Sequence, residues 1–304
     1  MIWRKRGLVY RPSGDLWWAR RYATIPTAEV LDDRTVRVYF ASLDERNFGR
    51  IGAVDLDARD PGRIVAQTAE PLLDLGDPGS FDDSGVNASC VVTIGGSRHL
   101  YYIGWQRCER VPYMLFGGLA ICADGRSFQR ASRVPILERT DEEPFSRSAP
   151  CVLAVEGGYR MWYWSCLRWT EGGSGLHYNN VIRHARSADG LHWESQGDVC
   201  LEPDWSREYS LGRPWVLHEG GLYRMWFSVR SEDQPYRFGY AESSDGLVWT
   251  RRDEVVGLDR SGSGWDAEMV CYPCVVDAGG NRYLFYNGNR HGATGFGYAV
   301  LEQD

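Results

Sequence analysis

The 304-residue chain has no run of about 18 apolar residues, so no helix of it can span a membrane. It has no long basic run either, and its formal net charge is −7, which excludes nucleic-acid binding by backbone neutralisation. The start, Met1 to Tyr10, carries Arg4, Lys5 and Arg6 and too few apolar residues for a signal peptide, which points to the cytoplasm. Eight cysteines show no disulfide framework, and Cys271-x-x-Cys274 encloses a proline with no second pair at zinc spacing. Most of them sit in apolar runs and read as buried thiols. No cluster of His, Asp and Glu has metal-ligand spacing, so no metal is expected; no other cofactor is expected. Sustained 3.6-residue periodicity is missing as well, which leaves strands. What is abundant is aromatic: 13 Trp, 17 Tyr and 10 Phe, most serving sheets and a few available as flat platforms for a sugar ring.

Five runs end in aromatics: Val36–Phe40, His99–Tyr102, Tyr159–Tyr163, Tyr223–Phe227 and Arg282–Tyr286. Their shared position, from Tyr39 to Phe285, recurs at intervals of 62, 61, 64 and 59. Each run is preceded by a strand opening at Pro26, Ala88, Pro150, Pro214 or Pro273, and the two are joined by a turn of Asp32-Asp33 or Gly-Gly. A third strand ends at Asp124-Gly125, Asp189-Gly190 or Asp245-Gly246, and a fourth carries Phe128, Trp193 or Trp249. The pattern predicts an all-β fold, a single five-bladed β-propeller with four antiparallel strands per blade. The blades span approximately residues 20–75, 80–137, 144–202, 207–257 and 265–304 plus 2–10. The fifth unit has only three strands of its own, and Trp3–Tyr10 is expected to supply the fourth.

In such a unit, the starts of first strands and the ends of second strands fall on one end of the propeller, near the axis. Loops on a rigid scaffold are where binding concentrates. The residues there are Asp82, Asp83, Asn87, Trp105, Arg147, Trp164, Arg213, Arg230, Asp266, Glu268, Tyr272, Asn287 and Asn289, with His184 at the start of a third strand. Carboxylates and amides suit hydroxyls, Trp suits a ring face, and Arg147 and Arg213 suit an anion. The expected partner is a small sugar or sugar-containing ligand.

The run Gly157–Ser165, the Ser-x-Asp-Gly-x-x-Trp turns at Ser187–Trp193 and Ser243–Trp249, and Tyr286–Asn289 resemble the five-bladed propeller glycoside hydrolases of families 43 and 32 and the related family 130 phosphorylases. The resemblance covers nearly the whole sequence. It implies carboxylates at first-strand starts, one of them a general acid. Families 43 and 32 place an Asp before the first-unit proline and a Glu two residues before the third-unit proline; here those positions hold Ile25 and Ser148. The remaining candidates are Asp82, Asp83, Glu208, Asp266 and Glu268. Asp83 and Glu268, each five residues before its strand-opening residue, are the expected catalytic pair, with acid and base roles open. A hydrolase or phosphorylase acting on a small or activated sugar, an anionic one included, is one reading. A non-catalytic sugar-binding propeller, or another transformation of a small anionic molecule, are the alternatives.

Overall fold

The computed structural model describes residues 1–303 other than 124, 126, 174 and 196; Asp124, which opens one expected Asp-Gly turn, lies outside the described residues. Twenty strands account for the architecture. The first, β1 (Ile2–Tyr10), stands apart in sequence from its sheet. Unit one follows as β2 (Arg21–Val30), β3 (Thr35–Leu43), β4 (Gly49–Asp57) and β5 (Ile64–Gln67). Unit two is β6 (Gly85–Ile94), β7 (Ser97–Arg107), β8 (Tyr113–Cys122) and β9 (Gln129–Arg130). Unit three is β10 (Arg147–Val155), β11 (Gly158–Gly172), β12 (Gly175–Ser187) and β13 (Val199–Leu201). Unit four is β14 (Glu208–Glu219), β15 (Leu222–Ser231), β16 (Arg237–Ser243) and β17 (Thr250–Arg251). Unit five is β18 (Cys271–Ala278), β19 (Asn281–Asn287) and β20 (Phe296–Gln303). A single helical turn, α1 (Asn289–Gly292), follows β19, and among the described residues no helix is long and apolar enough to cross a membrane.

Each unit is an antiparallel meander. Single parallel bridges, Gly49 with Gly85 and Phe116 with Arg147, join units one to three into a twelve-stranded sheet; units four and five form four-stranded sheets. Among the described residues no sheet closes on itself. Unit five takes β1 as its fourth strand: Trp3 lies opposite Leu301 and Leu8 opposite Gly297. The first strands of successive units pack side by side, β2 on β6, β6 on β10, β10 on β14, β14 on β18, and β18 also on β2.

The repeat has a packing reason. Gly95-Gly96, Gly220-Gly221 and Gly279-Gly280 all take positive φ, the geometry of a two-residue hairpin turn matched to strand twist. In the Ser-x-Asp-Gly turns, Ser243 Oγ accepts from Gly246 N–H (2.8 Å), and Asp245 Oδ1 accepts from Leu247 (2.8 Å) and Val248 (2.9 Å) N–H. The turn then serves its neighbour: Trp162 Nε1 of unit three donates to Gly246 O (2.8 Å), as Tyr101 of unit two donates to Gly190 O (2.7 Å). Tyr283 of unit five reaches Ala58 O of unit one in the same manner (3.1 Å). At two of the five recurrent positions, Tyr101 and Trp162, the second-strand aromatic is thus a tie between units, and it buries its ring in doing so.

Every first strand is interrupted by a register shift at the residue that opens the repeat. In four units the residue before the proline has left-handed backbone: Ile25 (φ 55°), Ala149 (52°), Arg213 (45°) and Tyr272 (58°). Proline excludes the right-handed helical region for its predecessor, and the bulge turns that residue toward the axis. Each such non-glycine conformer costs on the order of 1–3 kcal/mol and is held by its surroundings. Asn287 holds one of them: it accepts from Ile25 N–H (2.7 Å) and donates to Ala23 O (2.7 Å) and Gly295 O (2.9 Å).

Candidate functional site: an aromatic and cationic axial cavity

The four left-handed residues all face one cavity of about 380 Å3, within the range of small-molecule sites. All five units contribute to it. Ile25, Leu43 and Asn47 come from unit one; Asn87, Trp105, Arg107 and Tyr113 from unit two; Ala149, Trp164, Tyr178 and Asn180 from unit three; Arg213 and Tyr236 from unit four; and Tyr272 from unit five. Five sequence-predicted residues, Asn87, Trp105, Trp164, Arg213 and Tyr272, line it. Tyr113, Tyr178, Asn180 and Tyr236 were missed because they lie in or just before third strands, from which His184 was the one residue taken into the site. The signal was present: third strands start at the same end as second strands finish, and two of them, β8 and β16, begin with or follow a tyrosine.

The wall is built from stacked rings. Trp164 and Tyr178 lie parallel (centroids 6.0 Å apart, 14°), and Trp169 meets Tyr178 edge-on (5.5 Å). Trp105 lies flat against the glycines of the parallel bridge; a Cβ on Gly85 would sit 2.3 Å from its ring and one on Gly49 3.3 Å. Gly85→Ala is therefore expected to push Trp105 off its seat, at a cost of about 1–3 kcal/mol. A shifted tryptophan emission together with a lower melting temperature would register it; an unchanged spectrum would contradict it.

The charged groups are distributed unusually. Among the described residues the cavity wall contains no aspartate or glutamate, while three arginines border it and none of them pairs with a carboxylate. Arg213 is 2% exposed and reaches three other units: it donates to Pro273 O, Pro26 O (3.0 Å), Thr27 Oγ1 (2.8 Å) and Ser89 O (3.4 Å). Burial pushes its pKa below the ordinary value. Arg230 stands behind the wall, with its guanidinium 4.6, 5.1 and 5.0 Å from the rings of Tyr178, Tyr209 and Tyr236. Burial lifts the phenols of Tyr236 and Tyr272 well above their usual value, so they remain neutral and supply π-faces in place of a counter-charge. Arg107 lies over Phe48 (4.6 Å) and Trp105 (5.7 Å) and donates to Arg46 O (3.1 Å).

The predicted carboxylates lie elsewhere. Asp82 is buried and accepts from Tyr102 OH (2.8 Å), Ser80 Oγ (2.8 Å) and Arg130 Nε (2.8 Å). Asp266 accepts from Tyr286 OH (2.9 Å) and pairs with Lys5 (2.7 Å), which ties β1 to unit five. Glu143 does the same in unit three, accepting from Tyr163 OH (3.0 Å) and pairing with Arg147 (2.9 Å). In all three the acid precedes its tyrosine by 20 residues. That spacing was the available sign of a structural tie. Phe81 stacks on Tyr102 (6.0 Å) and Trp265 lies tilted against Tyr286 (5.0 Å), so the aromatic-acidic segments pack on second strands. Glu208, the unit-four candidate, is held by Arg237 (2.5 Å) and Arg251 (2.6 Å).

The expected pair, Asp83 and Glu268, is not brought to the cavity wall. Asp83 closes its own turn, accepting from Gly79 N–H (2.9 Å) and Ser84 Oγ (2.9 Å). Glu268 is exposed on a loop whose backbone Asn289 fixes, accepting from Glu268 N–H (2.7 Å) and donating to Gly264 O (3.0 Å). Arg147, neutralised by Glu143, also lies outside the lining. His184 packs edge-on against Trp162 (5.5 Å) and lines a separate small cleft with Arg186, Glu194 and Asp198. The positions at which the family resemblance implies carboxylates, Ile25 and Ser148, are at the axis: Ile25 lines the cavity, and Ser148 pairs with Trp164 across the ladder. The cavity therefore lies beside the positions that the resemblance implies, and neither of them carries a carboxylate here.

Two imidazoles report on this packing. Burial first, then Arg160 and Arg186, pushes His184 down to about 4; burial and then Arg230 does the same to His291, which meets Tyr236 edge-on (5.2 Å). Unfolded histidine titrates near 6.5. Between about pH 6.5 and 4 the unfolded protein takes up protons that the folded protein refuses, so stability falls as pH falls through this window. Each imidazole contributes at most about 3 kcal/mol to that fall. A melting temperature that declines over the window, less steeply in His291→Gln, is expected; a flat profile would contradict the assignment.

Solved structures share this fold. The BT0996 RGII complex aligns at TM-score 0.75 with 17% identity, over 99% of this protein and 92% of that one. A structure from the GH130 family of mannoside phosphorylases, described as containing glycoside hydrolases that target beta-1,2 mannosidic linkages in Candida mannan, aligns at 0.74 with 14% identity (98% and 93%). A thermostable family-43 glycoside hydrolase aligns at 0.65 with 14% identity (94% and 90%). The protein thus has the fold of these glycoside hydrolases. No family model matches it. It belongs to one family with the uncharacterized protein Rv1502 of Mycobacterium tuberculosis strain ATCC 25618 / H37Rv, 42% identical over 302 residues, 99% of this sequence and 100% of that protein. The uncharacterized protein MT1551 of strain CDC 1551 / Oshkosh matches equally, at 42% over 302 residues.

Proposed function

We propose that this is a carbohydrate-active protein whose five units, with the boundaries expected from the sequence, close into a five-bladed propeller, and whose axial cavity binds a small sugar bearing a negative charge. The closure reading is supported by the packing of β18 on β2 and the bond from Tyr283 to Ala58 O. The carbohydrate reading is supported by the flat rings of Trp105 and Trp164 beside the amides of Asn47, Asn87 and Asn180. The fold shared with glycoside hydrolases of families 130 and 43 supports the same class.

The observation that carries the charge assignment is the set of three arginines without carboxylate partners around a wall without carboxylates. Their field acts in a poorly screened interior, where an anion gains most. A two-carboxylate hydrolysis requires an acid and a base within hydrogen-bond reach of the bond, and the described wall offers neither. Binding, with any chemistry left to groups other than an Asp/Glu pair, fits the wall better than hydrolysis. Calorimetric titration with D-glucuronate, D-galacturonate and D-mannuronate against the matching neutral hexoses tests it. At least one acid should bind, more weakly as salt rises, and Arg230→Gln should weaken it about tenfold or more, the scale of a charge-assisted contact. Equal binding of acid and neutral sugar would overturn the reading.

A further inference from the structure

One side chain on the cavity wall is left in a condition that a folded protein rarely tolerates. Asn180 is 1% exposed, yet neither its Nδ2 nor its Oδ1 has a hydrogen-bond partner. Its backbone is fixed, since its N–H donates to Ser210 Oγ of unit four (3.3 Å). The side chain is therefore positioned and unspent. Buried amides are nearly always paired, and each unpaired group carries a desolvation penalty. The orphan atoms are not isolated. Asn180 and Tyr178 stand two residues apart on β12, and both line the cavity. Ile182, two residues further, pairs with Trp164, and Trp164 pairs with Ser148, so these residues share one face of unit three. Ser148 is fully buried, and its Oγ also lacks a partner.

We propose that Asn180 selects the ligand by reading two adjacent hydroxyls of a pyranose ring seated against Trp164, Oδ1 accepting from one and Nδ2 donating to the next. An amide presents a donor and an acceptor side by side, which matches a vicinal hydroxyl pair, while the indole takes the apolar ring face. Ser148 Oγ, at the edge of the same face, extends the set. This assignment rests on the sugar reading of the cavity, and it adds what that reading lacks: the residue that distinguishes one sugar from another.

The test uses the full-length protein with Asn180→Leu and Asn180→Asp. If the amide is held in reserve for a ligand, the leucine variant should melt several degrees above the wild type, because it removes an unpaired polar group at similar volume. It should also bind the best of D-glucuronate, D-galacturonate and D-mannuronate at least tenfold more weakly. The aspartate variant keeps the shape, loses the donor and repels the acid; it should bind at least a hundredfold more weakly. A lower melting temperature for the leucine variant, or unchanged binding in either variant, would overturn the assignment. Should none of the three acids bind the wild type, the anionic-sugar reading falls; a matching neutral hexose that binds, at least tenfold more weakly to the leucine variant, would still support the Asn180 assignment, and binding of none of these sugars would overturn it.

Discussion

Arg213→Met is expected to cost about 4 kcal/mol or more, because three carbonyls and the Thr27 hydroxyl lose their buried donor together. At about 2–4 °C per kcal/mol for a protein of this size, the melting temperature should drop by roughly 10 °C. The reason is geometric. Arg213 leaves unit four and bonds to first strands of units five, one and two, so one planar fork with several donors spans the axis. A lysine has a single ammonium and cannot reach all of these acceptors, so Arg213→Lys should be nearly as damaging as Arg213→Met. Urea unfolding of the three proteins measures this directly. A stability loss under about 1 kcal/mol, the effect of a typical surface change, would show that the axis is held by other contacts.

Asp82→Ala should destabilise by about 3 kcal/mol, because it leaves the buried Tyr102 hydroxyl without its acceptor and takes the carboxylate partner from Arg130, which keeps only Asp74 O. Ligand affinity in the axial cavity should be nearly unchanged in the same variant, since Asp82 is not among the lining residues. Asp266→Ala should behave alike, with Tyr286 losing its acceptor and Lys5 left with only Ser261 Oγ. The combination separates a structural carboxylate from a chemical one. A variant that kept wild-type stability and lost ligand binding would return Asp82 to the site. Unfolding curves and calorimetric titration on the same preparation distinguish the two outcomes.

The repeat was legible because it is written in local rules. Gly-Gly pairs set hairpins, second-strand aromatics recur at near-constant spacing, and the short fifth unit pointed to Trp3–Tyr10 as its missing strand. The end of the structure that carries the cavity was legible for the same reason. Which side chains face inward was not. Asp83 and Glu268 were placed at the axis by counting five residues back from a strand opening, as if alternation ran unbroken. The strands begin only at Gly85 and Cys271, and a bulge follows in each, between Ala88 and Cys90 and between Cys271 and Cys274. One extra residue reverses every facing beyond it, so parity cannot be carried across it. Trp105, Trp164 and Tyr272 were found because they adjoin strand ends. Tyr178 and Asn180 were not, because they stand in from the start of the long β12, whose hairpin extends past the expected strand.

The pairing of β1 with β20 has a kinetic consequence. Trp3 emerges from the ribosome 298 residues ahead of its partner Leu301. At about 5–20 residues per second, β1 waits roughly 15–60 s with both of its edges open. Units one to four can assemble during that time from contacts made mostly within about 60 residues of sequence. The final ladder joins segments separated by nearly the whole length of the sequence, so its loop-closure entropy is met in one late step. The charges on β1, Arg4, Lys5 and Arg6, are of the kind that keep an unpaired strand from joining a neighbour in the interval.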